Sequence, residues 1–335
     1  MIIDSHAHVV MPPQSLKFMS ELVGGRGNPS VDPKIPDEAI HKVATEVVKI
    51  MDSVGTDLQF ISPRPYLQMH SVKPAKVSEI WARHCNDVIA RVVACYPDRF
   101  RGVAGLPQFM HESPAERCVA ELERCVEQLG FVGCLINPDP TEGSELPPPG
   151  LGDPFWHPLY AAMERLQVPG LIHSAGSCTP RESYTLKFIN EESIAVISLI
   201  DSDTFQKFPN LKIVVAHAGG AIPYQMGRFR SWSVRRGEKV SFDEQLRKLY
   251  FDTCNYSQDS IELLLKVAGV KNVLFGTEKP GTGSARDPIS GRDYDDMKPV
   301  IENIGWLSAD DRADIFDCNC RRVYPRAFRN YTDPS

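Results

Sequence analysis

Eight short apolar runs, separated by stretches of helical period, constrain the fold of this 335-residue chain more than any other feature. They lie at 2–8, 57–65, 100–108, 131–139, 169–176, 212–220, 249–256 and 272–281. Each is rich in β-branched or aromatic residues and more continuous than alternating. Runs of this kind mark parallel strands covered on both faces, whereas a half-exposed strand alternates. Helical segments fall between them, at 37–54, 76–96, 114–129, 155–166, 191–207, 221–235, 258–268 and 308–322. Eight strands alternating with helices in about 300 residues predict an α/β fold of the (β/α)8 TIM-barrel type. A doubly wound sheet is the competitor, but it expects fewer strands and a glycine-rich phosphate turn after the first. Here HAHVVMPP follows the first run instead. No repeat or linker divides the sequence, so residues 1–335 are expected to form one domain.

Active sites of such barrels lie at the C-terminal ends of the strands, and the polar outliers of this chain sit at those ends. His6 and His8 close the first run; two apart on a strand, they project from one face. His173 and His217 end PGLIHSAG and LKIVVAHAGG, and Glu278 ends NVLFGTEKPG. Ser62, Arg64, Gln108, Asn137, Asp139 and Asn255 occupy the remaining ends. Imidazoles with a carboxylate suit a borderline divalent cation, Zn2+ first and Mn2+ as the alternative. His6, His8, His173 and Glu278 are the candidate ligands of one such ion. It would lower the pKa of water towards neutrality. His217 is either a further ligand or an acid/base group. Cys178, in a loop after His173, is the other candidate for proton transfer.

Arginine says what kind of ligand to expect. Arg64, between prolines in SPRP, and Arg228, in GGAIPYQMGRFR, suit bidentate recognition of carboxylates. Ser62, Asn137, Asn190 and Tyr224 are candidate hydrogen-bonding partners for further carboxylate or keto oxygens. A small polycarboxylate is the implied substrate. The net charge of −6 gives no polyanion-binding signature, which argues against nucleic acid. No apolar stretch reaches the length of a membrane span, and no signal-peptide pattern opens the sequence. Nine cysteines, an odd number without a disulfide framework, fit a reducing compartment. A cytoplasmic homo-oligomer, a dimer, is expected.

The HxH pair, the later strand-end histidines and the acid on the eighth strand resemble the amidohydrolase superfamily. They are similar in particular to its decarboxylase-like branch, which holds aminocarboxymuconate semialdehyde decarboxylase. ISPRP, GLPQ, INPDP, LIHSAGS, FINEES, GGAIPYQMGRFR, LYFDT and LFGTEKPG bring the resemblance nearest to the 4-oxalomesaconate hydratases of bacterial aromatic-acid catabolism. Binuclear members carry a bridging lysine after strand four; Asn137-Pro138-Asp139 stands here, so the resemblance implies one metal. Most of the superfamily has aspartate where this chain has Glu278, and a glutamate there resembles the hydratases. The activity implied is water addition to 4-oxalomesaconate, giving 4-carboxy-4-hydroxy-2-oxoadipate, with Glu278 as general base. The alternative is nonoxidative decarboxylation of an aromatic or muconate-type acid. Hydrolysis of a lactone or amide, and a non-enzymatic metal-binding role, stand further off.

Overall fold

The computed structural model describes residues 1–26, 28, 33–109, 114–143, 148–175 and 181–329. Eight strands follow the predicted runs: β1 Ile3–Val9, β2 Leu58–Pro63, β3 Phe100–Ala104, β4 Gly133–Ile136, β5 Gly170–Ile172, β6 Ile213–Val215, β7 Tyr250–Asp252 and β8 Val273–Leu274. They pair in sequential order, every pair parallel. Side chains alternate cleanly between two cores. Ile3, Leu58, Phe60, Val103, Leu135, Leu171, Val214 and Leu274 share an inner cluster with Cys320, Val323 and Tyr324 from near the C-terminus. Their neighbours Ile61, Phe100, Cys134, Ile136, Ile172, Ile213, Val215, Phe251 and Val273 pack outward against the helices. Both faces are therefore dry, which is why the runs read as continuous rather than alternating.

The α/β class and the eight parallel strands agree with the sequence reading; full closure of the barrel does not. The paired ladder runs from β1 to β8 and stops, leaving an open, barrel-like sheet. The reason is local. β8 is two residues long, and the chain leaves strand geometry at Phe275. Across this seam Ser5 N donates to Phe275 O at 2.9 Å and Glu278 N donates to His6 O at 2.7 Å.

One irregularity in β1 sets up the site. From Asp4 to Ala7 the strand advances three residues while its partner advances two, from Gln59 to Ile61. That extra residue is a bulge, which moves later side chains to the opposite face. Ile3 lies in the inner cluster, so strict alternation would turn Ala7 and Val9 inward with it. Instead Ala7 and Val9 join the outer core, and the bulge leaves His6 and His8 on the inner side.

The helices follow prediction most closely where punctuation is clear. Asp37–Val54 and Gln258–Ala268 match their predicted ranges. The helix expected over 191–207 instead spans Tyr184–Ile200, because the Ser183 hydroxyl accepts from Leu186 N and starts it earlier. The one expected over 221–235 is shortened to Met226–Arg236, after a 3-10 turn at Pro223–Gln225. The helix expected over 308–322 is interrupted by a π segment, Asp314–Cys318. A helix at Pro13–Val23 has no counterpart in the sequence reading. Among the described residues, no helix is long and apolar enough to cross a membrane.

Candidate metal centre and active site

His6, His8 and His173 are 1–2% exposed, and their Nε2 atoms converge. His8 Nε2 lies 3.2 Å from His6 Nε2 and 3.3 Å from His173 Nε2. Each ring is fixed through its other nitrogen. His6 Nδ1 is 2.7 Å from Asp252 Oδ2, and His173 Nδ1 is 2.7 Å from the Ser174 carbonyl. His8 Nδ1 is 2.8 Å from Ser62 Oγ, whose hydroxyl donates in turn to the Ala7 carbonyl at 3.2 Å. A carboxylate or carbonyl only accepts, so Nδ1 of His6 and His173 carries the proton. The hydroxyl spends its hydrogen on Ala7, so His8 Nδ1 donates as well. Each Nε2 then bears a lone pair, and three lone pairs face one space.

That arrangement suits a cation. Two nitrogens each ~2.0–2.1 Å from a tetrahedral ion lie about 3.3–3.4 Å apart, close to the spacings here. Glu278 Oε1 stands 3.6 Å from His8 Nε2 and 3.8 Å from His173 Nε2. Donor atoms of His6, His8, His173 and Glu278 all fall within 4.8 Å of one another. Burial pushes His173 down to about 4 and His8 well below its ordinary value, so both rings stay neutral, as ligands must. Burial opposes the Glu278 carboxylate, while the positive charge of His217 favours its ionised form.

His217 stands apart from this trio in its electrostatics. Its Nδ1 lies 2.8 and 2.9 Å from the two oxygens of Glu192, a fully buried acid on the Tyr184–Ile200 helix. Burial works against the imidazolium; Glu192, Glu278 and Asp252 outweigh it and raise His217 to about 10. Its Nε2 is 3.9 Å from Glu278 Oε2. The Tyr256 hydroxyl donates to the same oxygen at 3.0 Å, and Cys254 Sγ lies 3.9 Å from it. Glu278, His217 and Tyr256 have φ of 60°, 49° and 63°, a left-handed backbone that non-glycine residues rarely adopt and that clusters at functional sites.

Beside these groups opens a cavity of about 170 Å³, lined in part by Tyr184, Phe188, His217, Tyr256, Glu278 and Thr282. A shallower groove of about 790 Å³ lies on the outer surface between Asp37–Val54 and Arg91–Cys95, and no candidate residue lines it.

The remaining predicted residues are distributed unevenly. Ser62 is at the centre, holding His8. Arg64 is half-buried and donates from Nη2 to Pro280 O at 3.0 Å, next to the Glu278 turn. Asn137 is buried, with Nδ2 on His70 Nδ1 and on Asp139 O, both at 3.0 Å. Asn190 donates to Glu182 at 3.0 Å. Tyr224 is 80% exposed and Arg228 is also exposed; neither is among the described residues that line the cavity. Cys178 lies outside the described residues. Asp252, Glu192 and Tyr256 were missed as site residues. LYFDT and FINEES do carry an acid inside otherwise apolar stretches, a signal that points to a buried partner.

Comparison with known proteins agrees with this geometry. The amidohydrolase family model matches residues 3–326. The chain is 37% identical over 332 residues to 2-keto-4-carboxy-3-hexenedioate hydratase of Sphingobium sp. SYK-6, covering 97% of this chain and 96% of that one. A crystal structure of 4-oxalomesaconate hydratase from Rhodopseudomonas palustris superposes with a TM-score of 0.87 at 36% identity, covering 97% and 96% of the two chains. The manganese-bound dihydroxybenzoic acid decarboxylase of Polaromonas sp. JS666 shares the fold, at a TM-score of 0.71 and 23% identity over 97% and 96%. On the family match and the full-length identity, the chain is a member of the amidohydrolase family.

Proposed function

We propose that the protein is a metal-dependent hydro-lyase that adds water reversibly to the carbon–carbon double bond of an unsaturated keto-polycarboxylate. The substrate is 4-oxalomesaconate and the product 4-carboxy-4-hydroxy-2-oxoadipate, a step in aromatic-acid breakdown. One observation carries this reading: the match to a hydratase is 37% identical and spans 97% of the chain. A match to gamma-resorcylate decarboxylase of Rhizobium is 30% identical and covers 70%.

His6, His8, His173 and Glu278 would hold one divalent ion, Zn2+ first and Mn2+ as the alternative. Such an ion supplies Lewis acidity, making water acidic enough to ionise near neutral pH. The rest is work for the chain. Glu278, its ionised form favoured by the charge of His217, takes a proton from the attacking water through Oε2, which faces the cavity. The new C–O bond forms at one alkene carbon, and a proton must reach the other. His217, held charged by Glu192, carries a proton on Nε2 beside the cavity; Cys178 is the second candidate. Arg64 binds a carboxylate on leaving its Pro280 contact. Ser62 acts through His8. Asn137, Asn190, Tyr224 and Arg228 keep their assignment as substrate-binding residues, each to be tested by substitution.

The whole chain is taken as one metalloenzyme domain of a cytoplasmic dimer. The seam bonds from Ser5 to Phe275 and from Glu278 to His6 are inferred to close the barrel in effect, with the metal centre at the C-terminal ends of its strands. Turnover in oxygen-labelled water tests the reaction. Hydration places one solvent oxygen on a product heavier than the substrate by one water; an unlabelled or lighter product refutes it.

A further inference from the structure

Glu278 presents its two oxygens to two different surroundings. Oε1 faces His8 and His173, at 3.6 and 3.8 Å. Oε2 faces the cavity, with the Tyr256 hydroxyl at 3.0 Å and His217 Nε2 at 3.9 Å. An ionised carboxylate only accepts, so the phenol must donate its hydrogen to Oε2. The phenol oxygen then has lone pairs to spare, and Cys254 Sγ donates to it at 3.3 Å. This direction of donation leaves the phenol one role at Oε2, that of a donor fixing where the oxygen points.

The surrounding chain holds that contact tightly. A Cβ on Gly283 would sit 2.6 Å from Cζ and 2.7 Å from Cε1 of Tyr256, so only glycine lets the turn lie on the ring. A Cβ on Gly281 would meet Glu278 Cγ at 3.0 Å. The same turn is pinned by Lys279, whose Nζ is 2.7 Å from Asp295 and 2.9 Å from Asp293. Two glycines and a buried ion pair thus press one loop onto the Glu278–Tyr256 pair.

We propose that Tyr256 is a positioning residue that divides the Glu278 carboxylate, fixing Oε2 towards the substrate while Oε1 faces the metal centre. The proposal rests on the reading of Glu278 as general base, and a double-mutant cycle separates the two. The four holoenzymes are wild type, Tyr256→Phe, Glu278→Gln and the double variant, each assayed with metal content and thermal midpoint measured. Tyr256→Phe keeps the ring and removes only the donor. Its kcat is expected to fall by about 10- to 100-fold, the usual effect of misplacing a catalytic group, with KM within about threefold and metal content unchanged. Since Tyr256 acts through Glu278, the double variant should be no more than about threefold slower than Glu278→Gln alone. A Tyr256→Phe enzyme with wild-type kcat overturns the positioning role and leaves the base intact. Additive losses in the double variant overturn it as well, because Tyr256 would then act independently of the carboxylate. Wild-type turnover in metal-loaded Glu278→Gln overturns the base reading and the proposal with it.

Discussion

Each histidine of the central trio owes its tautomer to a different neighbour: a carboxylate for His6, a carbonyl for His173, a hydroxyl for His8. Partners of this kind orient a metal ligand and strengthen it, and losing one commonly costs about 10- to 100-fold in metal affinity. Asp252→Asn removes the charge behind His6 while keeping its shape. Metal affinity, measured by competition with a chelator, should fall within that range; unchanged affinity would return Asp252 to a structural role. Arg64→Met tests the carboxylate contact. A charge-assisted, bidentate bond worth roughly 2–4 kcal/mol predicts a loss of about 30- to 1000-fold in kcat/KM. An enzyme within twofold or so of wild type would remove Arg64 from the substrate site. His70 supplies a control outside the trio. Its Nε2 donates to Leu106 O at 2.8 Å and its Nδ1 accepts from Asn137, and burial lowers its pKa from 6.5 to about 4. A depressed histidine contributes stability that is whole above the unfolded value and is lost as pH falls towards the folded one. Between about pH 6.5 and 4 this amounts to about 3 kcal/mol. Urea unfolding of wild type and His70→Asn should show their stability gap narrowing by about that much over this window; a constant gap contradicts it.

At the scale of elements, the positions of the strands were legible in the sequence and their irregularities were not. Apolar continuity locates β1 to β8 because both faces of each strand are covered, a property of the residues themselves. The bulge in β1 depends on how Asp4 is satisfied. Its carboxylate accepts from His6 N, Thr277 N, Thr277 Oγ1 and Gln59 Nε2, groups drawn from three parts of the chain. No local pattern announces such a convergence. Tyr256 was hidden for the same reason, since its value lies in touching Glu278 from the loop after β7. Alternation alone would have paired His6 and His8 correctly but given no reason for the face they share. Gly276, just past β8, shows how closely the elements meet there. A Cβ would stand 2.9 Å from Asp252 Cβ and 3.0 Å from His6 Cβ. Gly276→Ala should therefore separate the β1 and β7 residues of the metal centre and lower metal occupancy by at least about tenfold in chelator competition. Unchanged occupancy would show that the strand ends yield without disturbing the ligands.

Across the whole molecule, β1, β7 and the segments that follow β5, β6 and β8 bring His6, His8, Asp252, His173, His217 and Glu278 together, and the wide sequence separation explains why motif spacing alone could not fix their roles. Relatives of this chain carry the names of two chemistries, a hydratase and a decarboxylase, so membership of the family does not choose between them. The choice turns on what happens to carbon. The decisive measurement follows the conjugated ultraviolet absorbance of 4-oxalomesaconate and the release of CO2 together, in one reaction with the metal-loaded enzyme. The account predicts that the absorbance falls with no CO2 evolved and that prior removal of the metal abolishes the change. CO2 released in step with substrate loss, or full turnover in enzyme shown by elemental analysis to hold no metal, would contradict it.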